Sequence, residues 1–409
     1  MTDTLTLQPI SIANGGAGFA RDAQDRPVFI PFTLPGETVE AQIVEEKAHF
    51  SLAELVAVIT PSPDRVEPRC PHFGVCGGCH FQHVAYARQL IVKQQIIIDQ
   101  LQRIGGLTAV PVAPTIPHPN PWAYRAETEL TPTPTGGLGY WSPREREVIP
   151  IETCPIIHPD LLALWQDVDM ELPGLRKLTL RIGDDDALLA ALEIDDVEPP
   201  ELETDFPVSV AIVLPDRTAA TLVGDNYTVQ AVNGRDFRVS PGCHFAPSPA
   251  TLPALVDTLR RYAALTGEET VIDGYSGVGL LTAFLAEDAA SVIAIEVNPD
   301  AVADTAVNLQ DTNNVSLYEG WLEDVLPQLP TPDLLVVHPP QKGLSKPVIH
   351  TITRKRPFRI IYISSDIATL ARDGKQLSQA GYTLKAIQPI DTAPQTYHLD
   401  TVSLWHWEN

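Results

Sequence analysis

The feature that most constrains the fold is the pattern of the C-terminal part of the chain, from about residue 250 onward. Short apolar runs such as TVID, SVIAIEV, LLVV and RIIYIS alternate there with helical stretches such as LPALVDTLRRYAAL and AVADTAVNLQ. Apolar strands separated by helices are typical of a parallel sheet that is covered on both faces. The pattern therefore predicts an α/β, doubly wound, Rossmann-like domain over residues 236–409.

The N-terminal residues show a different pattern, of short alternating runs separated by turn signals. TLTLQPISI, PVFIPF and TVEAQIVEE are divided by NGGAG and LPGE, as in strands joined by tight turns. We predict a small β-barrel of OB type over residues 1–60, although an unrelated small barrel would give the same pattern. We interpret residues 61–235 as a mostly β central domain that contains a helix from about Tyr86 to Ile104.

The composition predicts a cytoplasmic, monomeric protein. The first residues lack the basic and apolar regions of a signal peptide, and no apolar run is long enough to span a bilayer. The formal net charge of −24 argues against nucleic-acid binding, because affinity for phosphates comes largely from Lys and Arg. Any such binding needs a local basic surface, and Arg354, Lys355, Arg356 and Arg359 are the candidates. A solvated loop is the alternative interpretation of these four residues.

A glycine-rich turn in the C-terminal domain predicts a nucleotide-type cofactor site. In VIDGYSGVGLL an apolar strand and an acid precede glycines that stand just before a helix, and the next strand, SVIAIEV, contains a second acid near its end. Glycine lets the backbone approach a ligand, and an acid at the tip of the second strand can accept ribose hydroxyls. This combination favours an adenosyl cofactor over a dinucleotide; glycines kept for packing alone are a further alternative. The candidate contacts are Asp273, Tyr275, Gly277, Gly279 and Glu296.

A cluster of cysteines predicts a metal centre. Cys70, Cys76 and Cys79 lie close together, and the distant Cys154 supplies a fourth thiol. Four soft ligands suit either an iron–sulfur cluster or a structural zinc ion, and the spacing does not decide between them. Three unrelated buried thiols are the alternative for Cys70, Cys76 and Cys79, although two cysteines in CGGC with a third six residues earlier argue against it. Cys243 falls outside the pattern, and we expect it to be a core residue.

Segments throughout the chain resemble the S-adenosylmethionine-dependent RNA (uracil-C5) methyltransferases that modify 23S rRNA and tRNA. They include GAGFARD and LPGETVEAQI of a TRAM-type barrel, CPHFGVCGGCHFQHVAYARQLIVKQ, DGYSGVGLL, YISSDIATLARD and PQTYHLDTV. The resemblance implies a [4Fe-4S] cluster on the four clustered cysteines, S-adenosyl-L-methionine as the cofactor and RNA as the partner. It also implies a reaction in which a cysteine thiolate attacks C6 of a flipped uracil, C5 takes the methyl group, and a glutamate removes the C5 proton.

The chain departs from that family at the positions that carry the chemistry. Ser365 stands at the nucleophile position, Asp400 at the base position, and His338 replaces an aspartate. The amides of a cofactor-binding segment are absent from His244–Ser248. A serine hydroxyl is weakly nucleophilic unless an adjacent base activates it, and His338 is the candidate partner for such a pair. Asp400 keeps the carboxylate on a side chain one methylene shorter.

Three functions follow from these departures. The first is a uracil-C5 RNA methyltransferase with weak or lost activity. The second is a catalytically silent protein of the same fold that binds RNA or assists assembly. The third is a methyltransferase that acts on a different, already nucleophilic atom, which would need only the cofactor and a positioned base.

Overall fold

The computed structural model describes residues 4–108, 110–133, 137–168, 174–195, 207–215 and 218–408. Its N-terminal strands are β1 (Thr4–Leu7), β2 (Ser11–Ile12), β3 (Gly18–Arg21), β4 (Pro27–Ile30), β5 (Thr38–Glu46) and β6 (Ser51–Thr60). They form one sheet in the order β1-β5-β6-β4-β3-β2. Because β1 and β2 follow each other along the chain and form the two edges, the sheet curls into a barrel. Only the pair β4–β6 is parallel, and this topology confirms the predicted OB-type barrel.

The central part contains a second sheet and two helices. The helices are α1 (Tyr86–Arg103) and α2 (Pro159–Asp167), so the predicted helix is present and ends one residue early. The strands are β7 (Glu127–Pro132), β8 (Leu138–Ser142), β9 (Glu147–Pro150), β10 (Leu175–Ile182), β11 (Leu188–Ile194), β12 (Val208–Val213) and β13 (Ala219–Val223). They are ordered β13-β12-β11-β10-β7-β8-β9. The buried face of α2 packs in one core with Leu178 and Leu180 of β10. Seven strands and two helices among the described residues confirm the mostly β character of this region.

A hairpin leads into the C-terminal sheet. Its strands are β14 (Thr228–Val232) and β15 (Arg235–Val239). The helices that follow are α3 (Leu252–Ala263), α4 (Leu280–Ala286), α5 (Pro299–Asn308), α6 (Leu322–Val325), α7 (Lys346–Lys355) and α8 (Ile367–Gln379). The strands are β16 (Thr270–Gly274), β17 (Ser291–Glu296), β18 (Val315–Glu319), β19 (Leu334–Val337), β20 (Arg359–Ser364), β21 (Tyr382–Ile390) and β22 (Asp400–Trp407).

The C-terminal sheet is doubly wound, as predicted. Its strand order is β18-β17-β16-β19-β20-β22-β21, and β22 runs antiparallel to both of its neighbours while the other pairs are parallel. The order reverses between β16 and β19. In open sheets of this kind, ligands bind outside the carboxyl ends of the strands at such a reversal. The fold therefore places a binding site at the ends of β16, β17, β19 and β20.

Helix α1 packs against the C-terminal domain although it follows the cysteine cluster in sequence. Ile97 and Leu101 of α1 share a core with Ile367 and Ala371 of α8. Beyond α1, bridges of Val112 and Ile116 with β21 add a short parallel segment to the edge of the sheet. These contacts place the segment that follows the cysteine cluster beside the last residue of β20 and the first residue of β22. The domain bounds given above remain a prediction.

Candidate functional site

The glycine-rich turn lies at the carboxyl end of β16 and has two distinct kinds of glycine. Gly277 has φ 56° and an added Cβ would meet no atom within 4 Å. Gly279 has φ 84° and an added Cβ would lie 2.9 Å from the Thr305 side chain. Tyr275 also has a positive φ, of 66°, which is uncommon for a residue with a side chain. The packing interpretation therefore holds for Gly279, whereas Gly277 faces open space beside the turn.

The carboxylate of Glu296 ties the turn to the tip of β17. One oxygen, Oε2, accepts the backbone N–H of Gly277 at 2.9 Å. The other, Oε1, accepts the N–H groups of Val297 and Asn298, both at 2.8 Å. These bonds hold the acid at the edge of the sheet next to the open side of Gly277. The structure thus brings together Gly277 and Glu296, as the sequence predicted for a cofactor site.

Two buried polar atoms of this turn have no partner among the described atoms. They are Oδ1 of Asp273 and Oγ of Ser276. Asp273 is fully buried, and burial raises its pKa to about 7, even though Thr282 donates a hydrogen bond to its other oxygen at 2.6 Å. An orphaned buried acceptor is costly unless a ligand or water satisfies it. The turn therefore has unused hydrogen-bonding groups where an adenosyl cofactor would lie, and its residues fit such a ligand.

Trp321 is a residue of this edge that the motifs did not single out. It follows the carboxyl end of β18, the strand whose Glu319 pairs with Glu296 in register, and 59% of it is exposed. A large exposed aromatic ring offers a flat apolar surface to an aromatic base. The signal in the sequence was an aromatic residue just after a strand end, which has no fixed spacing from the glycine turn.

The structure places Ser365 and Asp400 next to each other at the same edge of the sheet. Ser364, the last residue of β20, pairs with Thr401 of β22. Ser365 and Asp400 are the next residues outward on these two antiparallel strands. The positions that the family motifs assign to nucleophile and base are therefore neighbours at the sheet edge.

His338 follows β19 at this edge, but it does not form the pair with Ser365 that the sequence allowed. Across the described residues, no hydrogen bond joins the two side chains, and the surroundings that perturb His338 are burial and His244. Burial and the nearby His244 lower the pKa of His338 to about 4. An imidazole with so low a pKa is a weak base at neutral pH. His338 is consequently a poor partner for activating Ser365.

Asp400 has a pKa suited to a general base. Burial raises its pKa to about 6, while a hydrogen bond from Thr392 and the charge of Lys93 oppose the increase. A base whose pKa lies near the operating pH is the most effective. Asp400 therefore keeps a carboxylate that can exchange a proton near neutral pH.

Lys93 and Asp391 form a buried ion pair behind Asp400, which the sequence did not reveal. Both side chains are 0% exposed, and Nζ of Lys93 lies 2.5 Å from Oδ1 of Asp391. Nζ also donates to the backbone carbonyls of Ala393 and His398. Helix α1 thus fixes the segment that leads into β22 and carries Asp400.

The four clustered cysteines come together around one small cavity. Cys70, Cys76, Cys79 and Cys154 all line it, and all are free thiols. Within the described ranges, no group of three or more His, Cys, Asp or Glu side chains is placed so that it could hold a metal ion. Cys243 lies in the core of the C-terminal domain, as expected.

The surroundings of the cysteines suit sulfur ligands. The backbone N–H of Gly78 donates to Sγ of Cys76 at 3.4 Å, and backbone N–H groups also donate to the sulfurs of Cys70 and Cys154. Burial raises the pKa of the Cys79 thiol to about 12, and the charge of Arg125 opposes that effect. Hydrogen bonds to sulfur and a nearby cation are the means by which proteins stabilise an anionic thiolate cluster.

Hydrogen bonds join the residues that follow Cys79 to the segment that leads to Asp400. The backbone N–H groups of His80 and Phe81, which follow Cys79, both donate to the carbonyl of Gln395 at 2.9 and 2.8 Å. The side chain of Gln395 is bonded in turn to Gln89 of α1. The cysteine site and the sheet edge therefore belong to one connected network.

Comparisons with known proteins agree with this architecture. The TRAM domain family matches residues 4–56. An uncharacterized RNA methyltransferase of Halalkalibacterium halodurans is 32% identical over 100% of this chain and 98% of the relative. This chain belongs to the same RNA methyltransferase family. An uncharacterized RNA methyltransferase of Nostoc sp. is 33% identical over 96% of this chain and 94% of the relative.

A solved structure supports the fold over the same length. The Pyrococcus abyssi tRNA (uracil-54, C5)-methyltransferase, in complex with S-adenosyl-L-homocysteine, superposes with a TM-score of 0.72 at 22% identity. The match covers 98% of this chain and 100% of that chain. The relatives confirm an RNA methyltransferase, and this structure confirms the fold. As for the bilayer, none of the described helices has the length and apolarity needed to cross one.

Proposed function

We propose that this chain is an S-adenosylmethionine-dependent RNA (uracil-C5) methyltransferase by descent, on rRNA or tRNA, whose methyl transfer is weak or lost. The observation that carries the proposal is the sheet edge itself. Asp400 lies beside the nucleophile position with a pKa of about 6, but that position is Ser365, whose hydroxyl forms no hydrogen bond with Asp400 or His338 among the described residues. On this proposal the residues for binding are kept, and the attacking group is weak.

The first step on the uracil ring is the addition of a nucleophile to C6. The C5 atom becomes nucleophilic only after another atom adds to C6, and a neutral hydroxyl adds poorly because its proton must leave at the same time. His338, with a pKa of about 4, is a poor acceptor for that proton. Asp400 is required to take the C5 proton at the end of the reaction. The rate is therefore limited at position 365 and not at position 400.

The residues of the glycine-rich turn fit the cofactor. Glu296 would accept the ribose hydroxyls, Gly277 would allow close approach, and the free acceptor of Asp273 would receive a donor. Trp321 would cover the adenine. When bound, the cofactor supplies an electrophilic methyl group. His244–Ser248 provides no amide here; Ser248 instead lies 2.5 Å from Nε2 of His118, so we expect binding weaker than in family members that have those amides.

We also propose a [4Fe-4S] cluster on Cys70, Cys76, Cys79 and Cys154. The support is the donor set: four thiols around one cavity, N–H groups directed at their sulfurs, and Arg125 beside them. The cluster would hold the loop after Cys79 against Gln395, so its part is to support the segment that carries Asp400. Zinc remains the alternative, and analysis of iron and acid-labile sulfide decides between them.

The test of the proposed function restores the nucleophile. Wild type, Ser365→Cys and Ser365→Ala are incubated with labelled cofactor and a uracil-containing RNA. We expect Ser365→Cys to transfer methyl groups to C5 faster than wild type by orders of magnitude, and Ser365→Ala to resemble wild type. Efficient transfer by the wild type that Ser365→Ala abolishes would contradict the proposal.

A catalytically silent RNA-binding protein is the second candidate, and the low pKa of His338 favours it. If Ser365→Cys binds the cofactor but transfers nothing, even with Asp400→Glu added, the site lacks more than its nucleophile. A methyltransferase for a different nucleophile would instead show wild-type transfer that Ser365→Ala leaves intact and Asp400→Asn reduces.

A further inference from the structure

The charge distribution of the C-terminal domain contains an unusual segment. Between Asp333 and Asp366 the chain has six Lys or Arg residues and no Asp or Glu. The whole chain has 52 acidic and only 28 basic residues. An acid-free segment of this length in so acidic a protein concentrates positive charge in one place. It begins in β19, includes His338 and α7, and ends at Ser365.

The structure separates the cations of this segment into two groups. Lys355, Arg356 and Arg359 are engaged within the domain, because they donate to the carbonyls of Leu329, Thr353 and Ala263. The Arg356 guanidinium also lies over the Trp407 ring. Lys342, Lys346 and Arg354 are exposed, and none of them forms an ion pair with a carboxylate of the described residues. The basic stretch predicted from the sequence, Arg354 to Arg359, is thus only partly available.

The free cations form a line that starts at the candidate site. Lys342 belongs to the loop between His338 and α7, and Lys346, His350 and Arg354 follow at intervals of four residues on one exposed face of α7. Residues four apart lie on the same face of a helix, so from Lys346 to Arg354 the line runs for about 12 Å. It leads away from the sheet edge along the side of the domain.

A shallow groove lies beside this line. It is lined by Lys346, His350 and Thr353 from α7 and by Gln376 and Gln379 from α8. Hydrogen-bond donors of this kind, next to unpaired cations, are suited to phosphate and sugar oxygens. Lys375, which is also exposed, belongs to α8 and adds a further positive charge on that helix.

We propose that this α7 face, defined by Lys342, Lys346, His350 and Arg354 with the adjoining groove, binds the phosphate backbone of the RNA that enters the site. The inference rests on the proposed function for the identity of the nucleic acid. An RNA strand whose target base lies at the end of β20 would continue past Lys342 and along α7. The line of charges therefore fixes the direction in which the flanking RNA leaves the site.

The N-terminal barrel is a less suitable place for phosphate contacts. Residues 1–60 contain eight acidic and three basic residues. Of the basic ones, Arg21 and Lys47 are paired with Asp25 and Glu45, and Arg26 donates to the carbonyls of Lys47 and Phe50. Non-specific affinity for nucleic acids comes from cations that neutralise phosphates. The α7 face meets that condition and the barrel does not.

The experiment measures RNA binding and its salt dependence on the full-length protein, without any methyl transfer. The triple variant Lys342→Gln/Lys346→Gln/Arg354→Gln is compared with wild type by fluorescence anisotropy, with a labelled uracil-containing single-stranded RNA. Removal of three phosphate contacts should reduce the slope of log K against log salt by roughly 2. The matched control is Arg21→Gln/Lys47→Gln/Arg103→Gln, which removes the same charge from residues paired with Asp25, Glu45 and Asp99.

The outcomes separate this proposal from the proposed function. A smaller slope for the α7 triple than for the control supports the α7 face, whether or not the protein transfers methyl groups. Equal slopes for both triples, with circular dichroism spectra like that of wild type, would overturn it. Unchanged RNA binding by the α7 triple would also overturn it.

Discussion

The buried pair of Lys93 and Asp391 gives the sharpest stability prediction. The variant Lys93→Met keeps most of the hydrocarbon stem and removes the charge. In the structure the ammonium group lies 2.5 Å from Asp391 and also donates to two carbonyls, those of Ala393 at 3.0 Å and His398 at 2.7 Å. Because the side chains of the pair are both 0% exposed, neither charge can turn to water when the other is removed.

The magnitude follows from what each variant leaves uncompensated. Removing one partner of a buried ion pair lowers the free energy of unfolding by about 3–5 kcal/mol. In Lys93→Met/Asp391→Asn no charge is left buried, and the main loss is the hydrogen bonds to the two carbonyls, at about 1 kcal/mol each. The double variant should therefore be more stable than Lys93→Met, with a deficit of about 2 kcal/mol.

The assay is urea denaturation followed by circular dichroism at neutral pH. Arg103→Gln is the control on the same helix, because its ion pair with Asp99 is exposed and such pairs contribute less than about 1 kcal/mol. Stability of Lys93→Met within about 1 kcal/mol of wild type would refute the reasoning. So would a double variant no more stable than the single one, since the uncompensated charge of Asp391 would then not be the cause.

Three further predictions concern the site. Glu296→Ala should abolish binding of S-adenosylmethionine in calorimetry, whereas Glu319→Ala on the neighbouring strand should not; identical titrations of wild type and Glu296→Ala would exclude this cofactor site. Anaerobic purification should give a brown protein with iron and sulfide that Cys79→Ser loses and Cys243→Ser keeps, and zinc without sulfide would disprove the cluster. In Ser365→Cys, methyl transfer should fall as the pH decreases through about 6, because Asp400 becomes protonated. Adding Asp400→Glu should shift the pH at which methyl transfer falls. If that pH does not change, the fall belongs to the titration of another group.

The sequence predicted the parts of the molecule that depend on local pattern. The alternation of apolar runs and helical stretches after residue 250 indicated the doubly wound sheet, and the turn signals near the start indicated the barrel. Both could be predicted because the spacing of apolar residues differs between strands and helices. The glycine turn and Glu296 were found for the same reason, since a strand, a turn and a helix occupy consecutive residues. Each of these features requires only a short window of sequence.

The parts that the sequence did not predict depend on contacts between distant segments. Lys93 and Asp391 are separated by 298 residues, and a lysine in a helix is normally taken as exposed. The absence of a hydrogen bond between Ser365 and His338 could not be predicted either. The sequence indicated that both residues follow strands of the same sheet, but it did not indicate how their side chains are oriented. The sequence predicted only part of the line of cations on α7, since composition does not show that Lys355 and Arg359 form internal contacts.

The positions of the site that match the family motifs and the positions that depart from them have different structural roles. Gly277, Glu296 and the pair of Lys93 and Asp391 hold backbone segments in place, so that changing them would disturb the fold as well as the site. Ser365 follows the last residue of β20 and forms no hydrogen bond with Asp400 or His338 in the described structure, so we expect a change there to alter the reaction without unfolding the protein. A scaffold can therefore keep its cofactor turn and its route for RNA while the attacking atom is lost. For this reason, binding of the cofactor alone will not establish that the protein is an enzyme, whereas the response of methyl transfer to Ser365→Cys will.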